Sequence, residues 1–273
     1  MSLGIFCAVL FAALLHASWN AIVKLGGDKL LTTILVTGWA AVLSAIALPW
    51  LPTPATDSWP WLAASALLQT GYYLLVARAY QHADMSLSYP LMRGCAPLLV
   101  AVAGTCLFDE HLSASAWAGI ALISGGILCM AGSSISNLRL PLCIALVIAT
   151  YTLVDAQGAR LSGNALSYTL WLFLLSGLPL PIWASFARRQ QLQGYLRGNW
   201  QRGLVGGFGT TASYAIALWA MTRAPVAVIA ALRETSILFA LLISALLLKE
   251  HISRRRLLAA LLIIAGVVLL RLA

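Results

Sequence analysis

Long apolar runs alternate with short polar, glycine- or proline-containing breaks along the whole chain. Ten such runs stand at 3–23, 30–50, 61–80, 85–108, 114–132, 138–157, 166–186, 203–221, 226–248 and 257–272. Each is near the roughly 17 to 25 residues a helix needs to cross about 30 Å of hydrocarbon. The pattern predicts ten membrane-crossing helices with little between them. The longest polar stretch, 188–202, reads as a basic loop. The first run has no basic flank before it and shares in the repeat described next, so it reads as a retained span and not a cleaved leader.

The runs are written twice. A shift of 140 positions lays Arg93 on Arg233, Leu98 on Leu238, Glu110 on Glu250, His111 on His251, Ser113 on Ser253 and Gly126 on Gly266. Earlier in the chain a shift of 132 lays Gly26 on Gly158, Trp39 on Trp171, Pro49 on Pro181 and, more loosely, Trp19 on Tyr151. The second half is therefore eight residues longer, and the extra length falls after Pro181. Five spans is an odd number, so two halves of like fold enter the membrane in opposite senses, with a solute path expected at their interface near mid-membrane. The predicted organisation is all-α: a polytopic membrane protein of ten transmembrane helices in two inverted five-helix repeats, 1–134 and 135–273.

Composition strengthens this reading, since 61% of residues are hydrophobic and only 9% charged, where a soluble domain carries about a quarter. Net charge is +9, and its distribution describes orientation, with no nucleic-acid partner needed. The loops joining odd spans to the following even ones carry Lys24, Lys29, Arg78, Arg139, Arg188, Arg189, Arg197, Arg202, Lys249, Arg254, Arg255 and Arg256. The opposite side carries Arg160, Arg223 and Arg271. The count places the termini outside and the basic loops in the cytoplasm. Trp50, Trp59, Trp61, Trp117, Trp183 and Trp200 stand at span ends, where amphipathic rings anchor to the headgroup boundary.

Cys7, Cys95, Cys106, Cys129 and Cys143 sit in apolar runs without CxxC or metal-ligand spacing, which suits small buried hydrophobes. No HExxH, phosphate loop or nucleophile triad is present, so no enzyme, metal or cofactor is expected. Chemistry is left to the polar groups at membrane depth, which cost about 2.5–3.5 kcal/mol each if they face lipid. Span 1 stacks His16, Asn20 and Lys24 on one face beside Trp19; span 3 offers Gln69 and Tyr73; span 4 offers Tyr89 and Arg93, with Pro90 and Pro97 kinking the helix. Span 6 carries Tyr151 and Asp155, span 8 Thr210 and Tyr214, and span 9 the neighbours Arg233 and Glu234, which point about 100° apart. Asp155 is near the end of its run, where a solvated terminus and a proton site are both open. The arginines can line the path or tie helices together, and His16 and Asn20 can bond between helices or bind solute. Glu110 and Glu250 read as turn and cap groups, and the glycine groups Gly119, Gly125, Gly126 and Gly206, Gly207, Gly209 as close-packing surfaces.

The segments FDEHLSASAWAGIALISGGILCM (108–130) and LKEHISRRRLLAALLIIAGVVLL (248–270) resemble the paired end-of-repeat signature of EamA-type members of the drug/metabolite transporter superfamily. HASWNAIVK (16–24) resembles the first-helix signature of the same group. The resemblance covers the whole chain. It implies a ten-helix carrier with a central cavity formed by spans 1, 3, 4, 6, 8 and 9. It also implies termini in the cytoplasm, against the charge count. The small multidrug exporters of the superfamily use a first-helix glutamate, and this chain has no acid there.

The expected function is that of a secondary-active transporter, an exporter, of a small anionic or zwitterionic metabolite such as an amino acid. Trp19, Asn20, Gln69, Tyr73, Tyr89, Arg93, Tyr151, Tyr214 and Arg233 are the substrate-binding candidates. Asp155 and Glu234 are the proton-coupling candidates, because desolvation favours a neutral carboxyl. Uptake of an organic anion or phosphonate and a non-transporting structural role are the alternatives. The expected partners are the bilayer, a solute and protons, for a monomer or homodimer in a bacterial inner membrane.

Overall fold

In hydrocarbon every backbone N–H and C=O must find its partner within the segment, which leaves the helix as the element these apolar runs can adopt. The computed structural model describes residues 1–25, 27–82, 85–131, 138–247, 249 and 253–272, and among these there is no strand. The helices are α1 (Leu3–Leu25), α2 (Lys29–Ala47), α3 (Trp59–His82), α4 (Met85–Leu107), α5 (Ala114–Cys129), α6 (Arg139–Leu161), α7 (Ala165–Gly177), α8 (Pro179–Ala187), α9 (Arg189–Met221), α10 (Val226–Arg233), α11 (Ser236–Leu247) and α12 (Arg254–Leu272). Seven stretches among the described residues are long and apolar enough to cross a membrane by length and composition.

Helix starts fall on the polar punctuation. Asp28, Ser113 and Asn164 cap α2, α5 and α7 by accepting from the backbone N–H groups of Leu31, Ala116 and Ser167. Among the described residues the ten expected spans correspond to twelve α-helices because two spans are jointed. The seventh breaks at Leu178, where Pro179 cannot donate and crowds the preceding turn. The ninth tightens at Glu234 and Thr235 without proline or glycine. There the N–H groups of Glu234 and Thr235 bond to Ala231 and Leu232 carbonyls three residues back.

The expected loop at 188–202 is instead the start of α9. Leu192 and Tyr195 pack against Leu31, Ile34 and Ala184, and the Tyr195 hydroxyl lies 2.6 Å from Thr32 Oγ1. Burial of one face outweighs the poor helix propensity of Gly194 and Gly198. The glycine groups divide by position. A Cβ on Gly119, Gly126 or Gly266 would strike the α5–α12 contact, and one on Gly203, Gly206 or Gly207 would strike α2, whereas Gly125 faces open space. The spans of the two repeats pack across one another, α5 on α12, α2 on α9 and α7, and α4 and α3 on α6.

Candidate functional site

Asp155 forms the hub of the interior. Helix α6 runs on to Leu161, so the carboxylate is not at a solvated helix end but fully buried. Neutral donors from three other helices surround it, the Ser65 hydroxyl of α3 among them. Gln69 Nε2 of α3 donates to Oδ2 at 3.0 Å, Tyr214 Oη of α9 to Oδ2 at 2.5 Å, and Tyr168 Oη of α7 to Oδ1 at 3.2 Å. A carboxylate accepts four such bonds, so its capacity is largely used by protein. Gln69 Nε2 and the Tyr214 hydroxyl, on residues expected as substrate contacts, therefore donate to Asp155.

The two repeat-related arginines have different fates. Arg93 Nε of α4 sits 2.9 Å from Glu234 Oε2, both nearly buried. Arg93 Nη2 also donates to Ser236 Oγ at 3.3 Å. Arg233 faces a different neighbour, the ring of Tyr214, with Cζ 4.9 Å from the centroid, and among the described residues no carboxylate pairs with it. The repeat explains the difference. Under the 140-residue shift the counterpart of Glu234 is Gly94, so the position that would supply an acid to Arg233 has no side chain. Arg93 has a carboxylate at ion-pair distance, whereas Arg233 has none among the described residues, although its charge also acts on Glu234.

Around these groups His16, Tyr72, Tyr73 and Tyr151 complete the interior. The charges of both Arg93 and Arg233 act on His16 and Tyr151, and the Tyr72 ring lies 5.7 Å from those of Tyr73 and Tyr151. Trp19 Nε1 donates to His16 Nδ1 at 3.3 Å, and Asn20 Nδ2 donates to the His16 carbonyl one turn back at 2.8 Å. Part of the first-helix stripe is thus bonded to itself. Tyr89 is 37% exposed, one turn before Arg93. The Lys24 side chain, Glu250 and His251 lie outside the described residues. Tyr168 and Ser236 were not legible as site residues: their hydroxyls sit in apolar runs with no charged neighbour in sequence, apart from Glu234 two positions before Ser236.

At one end of the bundle the two repeats are tied together by Glu110, which follows α4 after Asp109 at φ 53. Its carboxylate accepts from Arg160 Nη2 at 2.7 Å and from the Val226 N–H at 3.1 and 3.0 Å, capping α10. Arg160 Nε donates in turn to the Met221 carbonyl. Glu110 is thus a cap, as its sequence suggests, but of a helix in the other repeat. Changing Glu110 to Gln keeps an acceptor and removes the charge. Because Arg160 is about a third exposed, the expected loss is about 1–2 kcal/mol, read as a lower melting temperature in detergent. An unchanged melting curve would show that the tie carries no energy. A groove of about 560 Å³ opens beside it, lined by Arg160, Asn164, Trp219 and Arg223 among others; it holds none of the mid-membrane groups.

Among the described residues no cluster of three or more His, Cys, Asp or Glu side chains is placed to hold a metal. The EamA-like transporter family profile matches residues 2–132 and again 138–272. A solved crystal structure of a protein 16% identical in sequence superposes on 98% of this chain and 95% of its own, with a TM-score of 0.69, a likeness of fold. No curated protein matches the sequence.

Proposed function

The chain belongs to the EamA-like transporter family, and from that premise we propose that it exports a small anionic or zwitterionic metabolite by alternating access, coupled to protons. It is a multi-pass membrane transporter of the drug/metabolite type; the solute, direction, coupling and placement in a bacterial inner membrane are part of the proposal. Arg233 carries the reading. A guanidinium without a carboxylate at membrane depth is expensive, and a substrate carboxylate or phosphorus oxyanion relieves that cost while matching its planar donors bidentately. Arg93, already paired with Glu234, acts as a second, switchable contact. Tyr72, Tyr73 and Tyr151 offer apolar ring faces beside it. Asp155 and Glu234 are the groups proposed to exchange protons.

The test is thermal stabilisation of the purified protein by a panel of amino acids, carboxylates, phosphonates, nucleosides and organic cations. A ligand at 100 times its Kd adds about 2.7 kcal/mol. Arg233→Gln should weaken an anionic or zwitterionic ligand by roughly 10- to 100-fold, the loss of one charge-assisted contact, and Arg233→Lys should restore part of it. Stabilisation by cations alone, or binding indifferent to Arg233→Gln, would overturn the substrate class.

A further inference from the structure

The extra length of the second repeat has a chemical character of its own. Between Asp155 and Glu234 the chain contains no acidic residue, while 188–202 contains four arginines. In the fold this stretch is the first four turns of α9, and its inner side is occupied by Leu192 and Tyr195 against α2 and α8. At the helical period Arg189, Leu196, Arg197 and Trp200 share another side. All four are exposed, with Leu196 41% and Trp200 45% accessible. Among the described residues no carboxylate pairs with Arg189 or Arg197.

The register against α2 fixes the depth of this face. Tyr195 meets Thr32, Gly203 meets Leu35 and Trp39, and Gly207 meets Ala40, so the two helices run side by side in the same direction. Arg197 and Trp200 fall level with the first two turns of α2, within about 10 Å of its first residue at 1.5 Å per residue. Lys29 opens α2 at the end of its apolar run, so this level lies near the boundary where headgroups meet acyl chains. On adjacent α8, Trp183 is 47% exposed with the Arg188 guanidinium 5.9 Å above its ring. Unpaired guanidinium groups interleaved with exposed indoles fit a surface whose outer part is anionic and whose inner part is apolar.

We propose that the face of α9 bearing Arg189, Leu196, Arg197 and Trp200 binds the phosphate of anionic phospholipids. Arg189 and Arg197, about 12 Å apart along the helix, contact phosphate oxygens with Leu196 between them, and Trp200, about one turn deeper, lies along the upper acyl chains. This site is separate from the solute path, and neither depends on the other.

The experiment compares the purified full-length protein in nanodiscs of phosphatidylcholine alone and with phosphatidylglycerol added. Melting temperature and the lipid retained in native mass spectra are the readouts. The wild type should melt higher with phosphatidylglycerol and retain it, and the gain should shrink in high salt. The double change Arg189→Gln with Arg197→Gln should bind phosphatidylglycerol roughly 30-fold more weakly, at about 1 kcal/mol per arginine. It should melt like the wild type in phosphatidylcholine, which separates lipid binding from misfolding. Trp200→Ala should weaken retention while keeping the salt dependence. The proposal is overturned if the wild type gains nothing from phosphatidylglycerol, if the double variant keeps the full gain, or if free glycerol phosphate gives the same gain.

Discussion

Asp155→Ala should abolish transport and lower stability by about 3 kcal/mol or more. The carboxylate is fully buried and accepts from Gln69, Tyr168 and Tyr214. Removing it strands these buried donors, and Ser65 with them, each at about 1–3 kcal/mol. The isosteric change Asp155→Asn separates structure from transport. Its amide keeps one acceptor oxygen and places a second donor where Gln69 and Tyr214, or Tyr168, already donate. Stability should fall by less than in the alanine variant, while proton-driven transport in proteoliposomes should stop, since an amide cannot exchange the proton. An Asp155→Asn protein that transports at the wild-type rate with unaltered pH dependence would remove Asp155 from the coupling role and leave it a structural hub.

Gly266→Val should be comparably damaging for a different reason. A Cβ at Gly266 would lie 2.7 Å from both the Gly119 carbonyl oxygen and Ile123 Cγ1, and 3.0 Å from the Ile123 nitrogen. Two of those are backbone atoms of α5, which cannot swing aside, so α5 and α12 must separate. Helices in lipid associate through close van der Waals packing of small residues, with little hydrophobic drive to compensate for a gap. A cost of about 3 kcal/mol is expected from overpacking against rigid backbone, seen as loss of monodisperse protein on size-exclusion chromatography. Gly125→Ala is the matched control: it faces open space and should be neutral or stabilising by up to about 1 kcal/mol. Equal behaviour of the two variants would sink the packing account.

Part of the site is legible in particular residues. Arg93, Asp155, Arg233 and Glu234 stand out because a charge inside an apolar run has to be explained, and the 140-residue shift makes Arg93 and Arg233 a pair. Their partners were not visible. Arg233 and Glu234 are neighbours in sequence, yet Glu234 meets Arg93 on another helix, because adjacent helical side chains diverge and the tertiary crossing selects the partner. Gln69 and Tyr214 are polar at the right depth, but their roles follow from where Asp155 lies. Asn20 looked available and is bonded to its own helix, a local alternative open to any asparagine in a helix interior.

The sequence by itself determined the all-helical class, the ten spans and their duplication, because a bilayer admits few solutions and each leaves a mark at the scale of one helix: length, apolarity and period. It also carried the asymmetry of Glu234 against Gly94. Only the tertiary structure decided which charges cancel, which polar groups are consumed by Asp155, that 188–202 is helix, and that Glu110 caps the opposite repeat. Those outcomes depend on contacts between residues far apart in the chain, set by close approach at a few glycines and by which helices cross at the same depth.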